Sequence, residues 1–272
     1  LEGDSVSLRL CIAQISSVWE DPVGSLEKVR PLIAEAACRE ASVICFPEQF
    51  ATGWDPLSIR HVQPPDGQIA TTLRKYACDF GISILGSFRE EDVPCPKNTS
   101  MLIGADGKMH AKYSKCHLFS PAGEQLSYGP GDRIDLFTLA GMRCGIAICY
   151  DLRFPPLFRA YARAGAEVVF IPAAWPASRI AQWELLIRSR ALEHQMYIVG
   201  INTTGMNPVD SYNGHSIISG PDGEVITKAG EKEELLYAVI DSARVEEARE
   251  SFPVEKDRRP DLYYRLLKKT DV

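Results

Sequence analysis

Short runs of apolar and β-branched residues recur along the chain: "LRLCIAQI" (8–15), "SVICFP" (42–47), "ISILGSF" (82–88), "RCGIAIC" (143–149), "EVVFIPAAW" (167–175) and "YIVGIN" (197–202). Several lack strict apolar-polar alternation, as strands buried on both faces do. Between them lie segments of helical period. In "SRIAQWELLIRSRALEHQM" the apolar positions Ile180, Trp183, Ile187 and Ala191 return every three or four residues, and Ser178 is placed to cap the start. Residues 68–79 and 157–165 read as helices too. A further helix from about Asp21 to Cys38 contains Pro31, which removes one hydrogen bond and predicts a kink or break. Alternation of this kind implies right-handed strand-helix-strand crossovers. Two segments, "TSMLIGADGKMHAKY" (99–113) and "SIISGPDGEVITKA" (216–229), read as strand, Asp-Gly turn, strand, so antiparallel hairpins join the parallel strands in mixed sheets. No linker or low-complexity stretch divides the pattern, which predicts one α/β domain.

Composition narrows the partners. Of 272 residues, 45% are hydrophobic and 24% charged, ordinary for a compact globular protein. A net charge of -6 leaves no basic excess to replace the counterions of nucleic acid or an anionic membrane, so neither is expected as a partner. The basic clusters "KDRRP" and "RLLKK" read as solvated faces. No apolar stretch approaches bilayer length, and "LEGDSVSL" has neither a basic leader nor a hydrophobic signal core, so the expected location is the cytoplasm; residues 1–7 are set aside from the fold. Eight cysteines (11, 38, 45, 78, 95, 116, 144, 149) then read as thiols. No C-x-x-C occurs, and the adjacent Cys116 and His117 have no second ligand pair at zinc-finger spacing, so no metal is expected.

Three residues at the ends of apolar runs carry candidate chemistry. Cys149 closes a strand, and "YDLRFPPLFRAYARA" behind it reads as a turn into a helix whose N-terminal partial charge would favour a thiolate and whose N–H groups could hold an oxyanion. Glu48 follows "SVICFP", at the strand edge where sites in such folds collect; burial there would raise its pKa, as suits a general base. Lys115, in "KYSKCHLF", could stabilise a thiolate or a developing oxyanion. Each has a plainer reading: a buried core thiol, an exposed strand-end glutamate, a surface lysine. His117 reads as structural rather than as the partner of a cysteine dyad.

Together these stretches resemble the nitrilase superfamily of carbon-nitrogen hydrolases, from about residue 8 to 267, with "FPEQFATGW", "YSKCHLF", "EQLSYGPGD" and "GIAICYDLRFP" in family order. The resemblance implies a four-layer α-β-β-α sandwich with two mixed sheets. It implies Glu48 as general base, Lys115 as the cation at the tetrahedral intermediate, Cys149 as nucleophile and Glu124 as an assisting carboxylate. The thioester mechanism needs no cofactor, and the Tyr150 N–H is a second donor to the oxyanion. Cys144, five positions away, is its buried strand neighbour facing the other side. The pieces around 172–205 and "FPVEKDRRPDLY" look most like ω-amidases, which release ammonia from 2-oxo dicarboxylic acid monoamides such as 2-oxoglutaramate and 2-oxosuccinamate. Such anionic substrates need a further cation, for which Arg153 is a candidate unless it braces the turn by pairing with a carboxylate. Trp175 is placed as a pocket wall. The helix at 178–194 resembles the family's dimer contact, so a homodimer is expected. Two alternatives stay open: an amidase for deaminated glutathione or carbamoyl compounds, and a catalytically silent binding protein on the same fold.

Overall fold

The computed structural model describes residues 6–270 of the chain, so the reading of the opening segment as leaderless falls mostly outside the described residues. Strand β1 (Ser7–Gln14) leads to helix α1 (Pro22–Cys38), β2 (Val43–Cys45), α2 (Gln68–Phe80), β3 (Ser83–Glu90) and the hairpin of β4 (Lys97–Ile103) and β5 (Met109–Ser114). A second series follows: β6 (Phe137–Leu139), β7 (Met142–Ile146), α3 (Pro155–Arg163), β8 (Val168–Ala173), α4 (Ile180–His194) and β9 (Tyr197–Asn202). A small hairpin of β10 (Thr204–Met206) and β11 (Ser211–Asn213) then precedes β12 (Ile217–Ser219) and β13 (Val225–Lys228). Finally β14 (Glu234–Asp241) returns to pair antiparallel with β1, followed by α5 (Ser242–Ser251) and α6 (Pro260–Thr270).

The strands form two six-stranded mixed sheets, ordered β14-β1-β2-β3-β4-β5 and β13-β12-β9-β8-β7-β6. Alternation along β1 decides the layering. Leu8, Leu10 and Ile12 face the second sheet and pack with Cys144, Ile146, Phe170 and Val199, while Cys11 and Ala13 face α1 and α2, against Val29, Ile33 and Leu73. The outer face of the second sheet carries Val169, Ile171 and Ile198, covered by Phe158 and Tyr161 of α3 and by Trp183 and Ile187 of α4. The result is helix, sheet, sheet, helix, with both sheets buried on two faces.

Pro31 does not break α1. It lies on the exposed face with Glu27, whose carbonyl would have bonded its missing N–H, while Leu26, Val29 and Ile33 anchor the opposite face. Asp21 caps this helix, accepting from the Gly24 N–H at 3.0 Å. Ser178 is not a cap: α4 begins two residues later, and Ser178 sits in a preceding 3₁₀ turn, Ala177–Arg179. The stripe of Trp183, Ile187 and Ala191 on α4 is consumed within the chain's own core, so it is not a free contact face.

Candidate active site

The ends of β2, β5 and β7 converge on one buried cluster. Glu48 lies three residues past β2, where the Phe46 N–H still pairs with Leu85 O and the chain then turns through Gln49 at φ +49°. Lys115 directly follows β5. Its carbonyl accepts from Gly131 N–H at 2.8 Å, and a Cβ on Gly131 would lie 2.1 Å from Ser114 O, so the "YGPGD" loop can close against this strand only with glycine there. Neither residue is a surface group: the Glu48, Lys115 and Glu124 side chains have no solvent exposure.

Lys115 Nζ lies 2.9 Å from Glu48 Oε1 and 2.8 Å from Glu124 Oε2. Asn98 Nδ2 bridges the same two carboxylates, at 2.7 Å from Glu48 Oε1 and 3.1 Å from Glu124 Oε1. Glu48 Oε2 accepts from the Ala174 N–H at 3.0 Å, and Glu124 Oε2 from the Phe119 N–H at 2.6 Å. Burial pushes the Glu48 carboxyl above its usual range, opposed by Lys115 and reinforced by Glu124. Burial acts in the same sense on Glu124, yet the Lys115 charge and its hydrogen bonds outweigh it and hold Glu124 below the usual value. For Lys115 burial favours the neutral amine, but the two carboxylates overcome it and keep the ammonium well above its ordinary pKa.

Cys149 is not on the strand. β7 ends at Ile146, and Cys149 opens a 3₁₀ turn, Cys149–Arg153, at φ +45°, a left-handed conformation that costs energy for a side chain with a Cβ. The two cysteines are therefore separated by the chain leaving the sheet rather than by strand alternation. Cys144 stays between the sheets, and Cys149 reaches a cavity lined by Trp54, Phe119, Tyr150, Arg153, Trp175 and Arg179, among others. The thiolate expectation is also corrected. Burial and then the negative charge of Glu48 raise the Cys149 pKa well above normal, and Lys115 only partly opposes them, which favours the thiol. A turn of five residues is too short to supply the dipole of a full helix.

Asp151 holds this elbow. Oδ2 accepts from the Ile148 N–H at 2.9 Å and the Tyr113 hydroxyl at 2.7 Å; Oδ1 accepts from the His117 N–H at 2.9 Å and lies 2.8 Å from His117 Nδ1. His117 stacks on Phe154 at 3.7 Å, so it joins the lysine strand to the cysteine turn structurally. Among the described residues Arg153 pairs with no carboxylate: it donates to Gln182 and lies over the Trp175 ring at 4.9 Å. Trp175 is buried and donates from Nε1 to Arg179 O at 2.9 Å. The Tyr150 ring packs edge-on to Phe119 and Phe154.

Sequence reading missed Asn98, Asp151 and Arg179. Asp151 had a signal, an acid two residues past the turn's first position, where such side chains take up loose backbone N–H groups. Asn98, inside a hairpin strand, had none.

A family model described as carbon-nitrogen hydrolase matches residues 9–250. The chain belongs to the carbon-nitrogen hydrolase family. Over 252 residues this hydrolase is 36% identical to the 2-oxoglutaramate amidase of Bacillus subtilis (strain 168), covering 92% of this chain and 97% of that one. It is 34% identical to the omega-amidase NIT2 of Homo sapiens, covering 97% and 99%. Among solved structures, XC1258 from Xanthomonas campestris, a CN-hydrolase superfamily protein with an arsenic adduct in its active site, superposes with a TM-score of 0.87 at 28% identity, covering 93% of this chain and 97% of that chain. As a member of this family the chain is an amide hydrolase.

Proposed function

We propose that this hydrolase is an ω-amidase, cleaving the terminal carboxamide of a 2-oxo dicarboxylic acid monoamide to the acid and ammonia through a thioester on Cys149. The observation that carries the chemistry is the buried ammonium held between two carboxylates beside a thiol at the wall of an open cavity. The substrate class is supported by the names of the relatives at 34–36% identity.

In the first half-reaction Glu48 takes the Cys149 proton as sulfur bonds to the amide carbon and the carbonyl electrons move onto oxygen. Lys115, kept charged by its two partners, and the Tyr150 N–H at the elbow stabilise that oxyanion. Glu124 and Asn98 orient Lys115 and keep Glu48 poised. Collapse of the intermediate breaks the carbon-nitrogen bond, and the proton on Glu48 passes to the leaving nitrogen, which departs as ammonia. Glu48 then deprotonates a water that attacks the thioester; collapse expels the sulfur, which recovers its proton from Glu48. A resting thiol suits this cycle, because the base removes the proton only as attack proceeds.

Arg153 and Trp175 are the proposed substrate contacts, the guanidinium supplying positive charge that the self-compensated Lys115 cluster does not. Residues 8–267 are taken as one catalytic unit. Among the described residues no helix is long and apolar enough to cross a membrane, and all eight cysteines are free, which accords with a cytoplasmic enzyme. The proposed homodimer would use exposed apolar residues such as Leu185, Leu192, Phe252 and Leu267. A panel of amides assayed for ammonia release tests the assignment: 2-oxoglutaramate and 2-oxosuccinamate should lead, and turnover confined to deaminated glutathione or carbamoyl compounds would reject it.

A further inference from the structure

One cationic group on the cavity wall takes no part in the steps above. Arg179 closes the 3₁₀ turn between β8 and α4, and its guanidinium lies over the Phe119 ring, 5.4 Å from the centroid, on the wall that also includes Cys149 and Arg153. Its backbone is fixed, the N–H donating to Pro176 O at 3.0 Å and the carbonyl accepting from Trp175 Nε1 at 2.9 Å. The side chain donates to no protein acceptor and makes no ion pair among the described residues. That sets it apart from Arg153 on the same wall, which reaches Gln182, and from the buried Arg190, which reaches Leu152 O and Glu193.

A half-buried guanidinium has given up water on one side, and a carboxylate is the partner that best restores what it lost, through two parallel charge-assisted bonds. The carboxylate on the cavity wall is Asp210, which makes no ion pair with either arginine and accepts from the Ser211 N–H at 2.8 Å. The wall thus carries two guanidinium groups against one carboxylate. Phe119, beneath Arg179, also donates its backbone N–H to Glu124, so the residue under the guanidinium is tied to the Lys115 cluster.

We propose that Arg179 is a specificity-determining residue, forming with Arg153 the seat for the carboxylate at the far end of the substrate. The inference rests on the ω-amidase reading for the substrate's identity, but the anion seat can be tested apart from it. Glutarate, a dianion without an amide, probes the seat by calorimetric titration of the wild type, Arg179→Gln and Arg179→Lys. Glutarate should bind the wild type, weaken at least tenfold in Arg179→Gln and be partly restored in Arg179→Lys. In parallel, the ratio of kcat/KM for 2-oxosuccinamate to that for butyramide should fall at least tenfold in Arg179→Gln, chiefly through KM. No binding of glutarate to the wild type, or equal binding to wild type and Arg179→Gln, overturns the proposal, as does an unchanged ratio. Loss of glutarate binding in Arg179→Gln, with no wild-type turnover of either 2-oxo amide, would keep the seat and reject the substrate assignment. Melting curves for both variants show whether the fold is intact, and Arg179→Lys keeps the test open if Arg179→Gln is not.

Discussion

Removing Lys115 should cost the fold far more than removing Glu48, although both changes abolish the chemistry. In Lys115→Met the two carboxylates that now lie 2.9 and 2.8 Å from the ammonium are left facing each other, with Asn98 as their shared donor. Breaking a buried ion pair by deleting one partner costs about 3–5 kcal/mol. For a chain of this size that corresponds to a fall in Tm of roughly 6–20 °C. Glu48→Gln has a smaller deficit. The glutamine oxygen can still accept from Lys115 and Asn98, while its nitrogen meets the Ala174 N–H donor to donor, at a cost of about 1–3 kcal/mol. Against that, the cluster changes from two negative groups and one positive to a neutral pair, which offsets part of the loss. The pH dependence follows in sign. In Lys115→Met one carboxyl has a folded-state pKa raised above its unfolded value, so stability is greatest at low pH and is lost as pH rises through the raised value. The gap to wild type should therefore narrow between pH 7.5 and 5. Melting by differential scanning calorimetry at several pH values, with ammonia release measured alongside, checks this. A Glu48→Gln protein that melts as low as Lys115→Met, or a gap that widens on acidification, would refute the reasoning.

The two cysteines should separate cleanly: Cys144→Ala, which trims a core thiol between the sheets, should cost about 1 kcal/mol and keep turnover, whereas Cys149→Ala should fold normally and release no ammonia. Asp151→Asn cannot accept from all four of its present partners and should lower stability by about 1–3 kcal/mol and reduce kcat as the elbow loosens, with melting and steady-state kinetics as the readouts. Because Glu48 must be ionised to take the thiol proton and its pKa is raised above the usual 4.5, kcat/KM should fall on the acid side with a midpoint above 4.5. A pH-rate profile flat down to that value would contradict the assignment of Glu48 as base.

The layered fold was largely legible because its central strands are short, almost wholly apolar runs and its two Asp-Gly hairpins carry their turn chemistry locally. What escaped depends on tertiary context. β14 ("ELLYAVID") lies at a sheet edge, where one half-solvated strand gives little signal, and Pro31 is tolerated because its helix face is exposed. Glu48, Lys115 and Cys149 were picked out as residues that end apolar runs, and the structure brings them to one place. The raised Glu48 pKa was legible from its place at a buried strand end, but the Cys149 shift was not, since it follows from desolvation beside Glu48, 101 positions away in the chain. Asn98 and Arg179 were missed for the same reason: a strand asparagine and a helix-start arginine are unremarkable until the sheets stack and place them at the carboxylates and in the cavity.

Mass spectrometry of the intact protein quenched shortly after mixing with 2-oxosuccinamate tests Cys149 as nucleophile most directly. An added mass equal to the substrate less ammonia, mapped to Cys149 and missing from Cys149→Ala, is the result expected. Ammonia release that persists in Cys149→Ala, or an adduct on another residue, would contradict it.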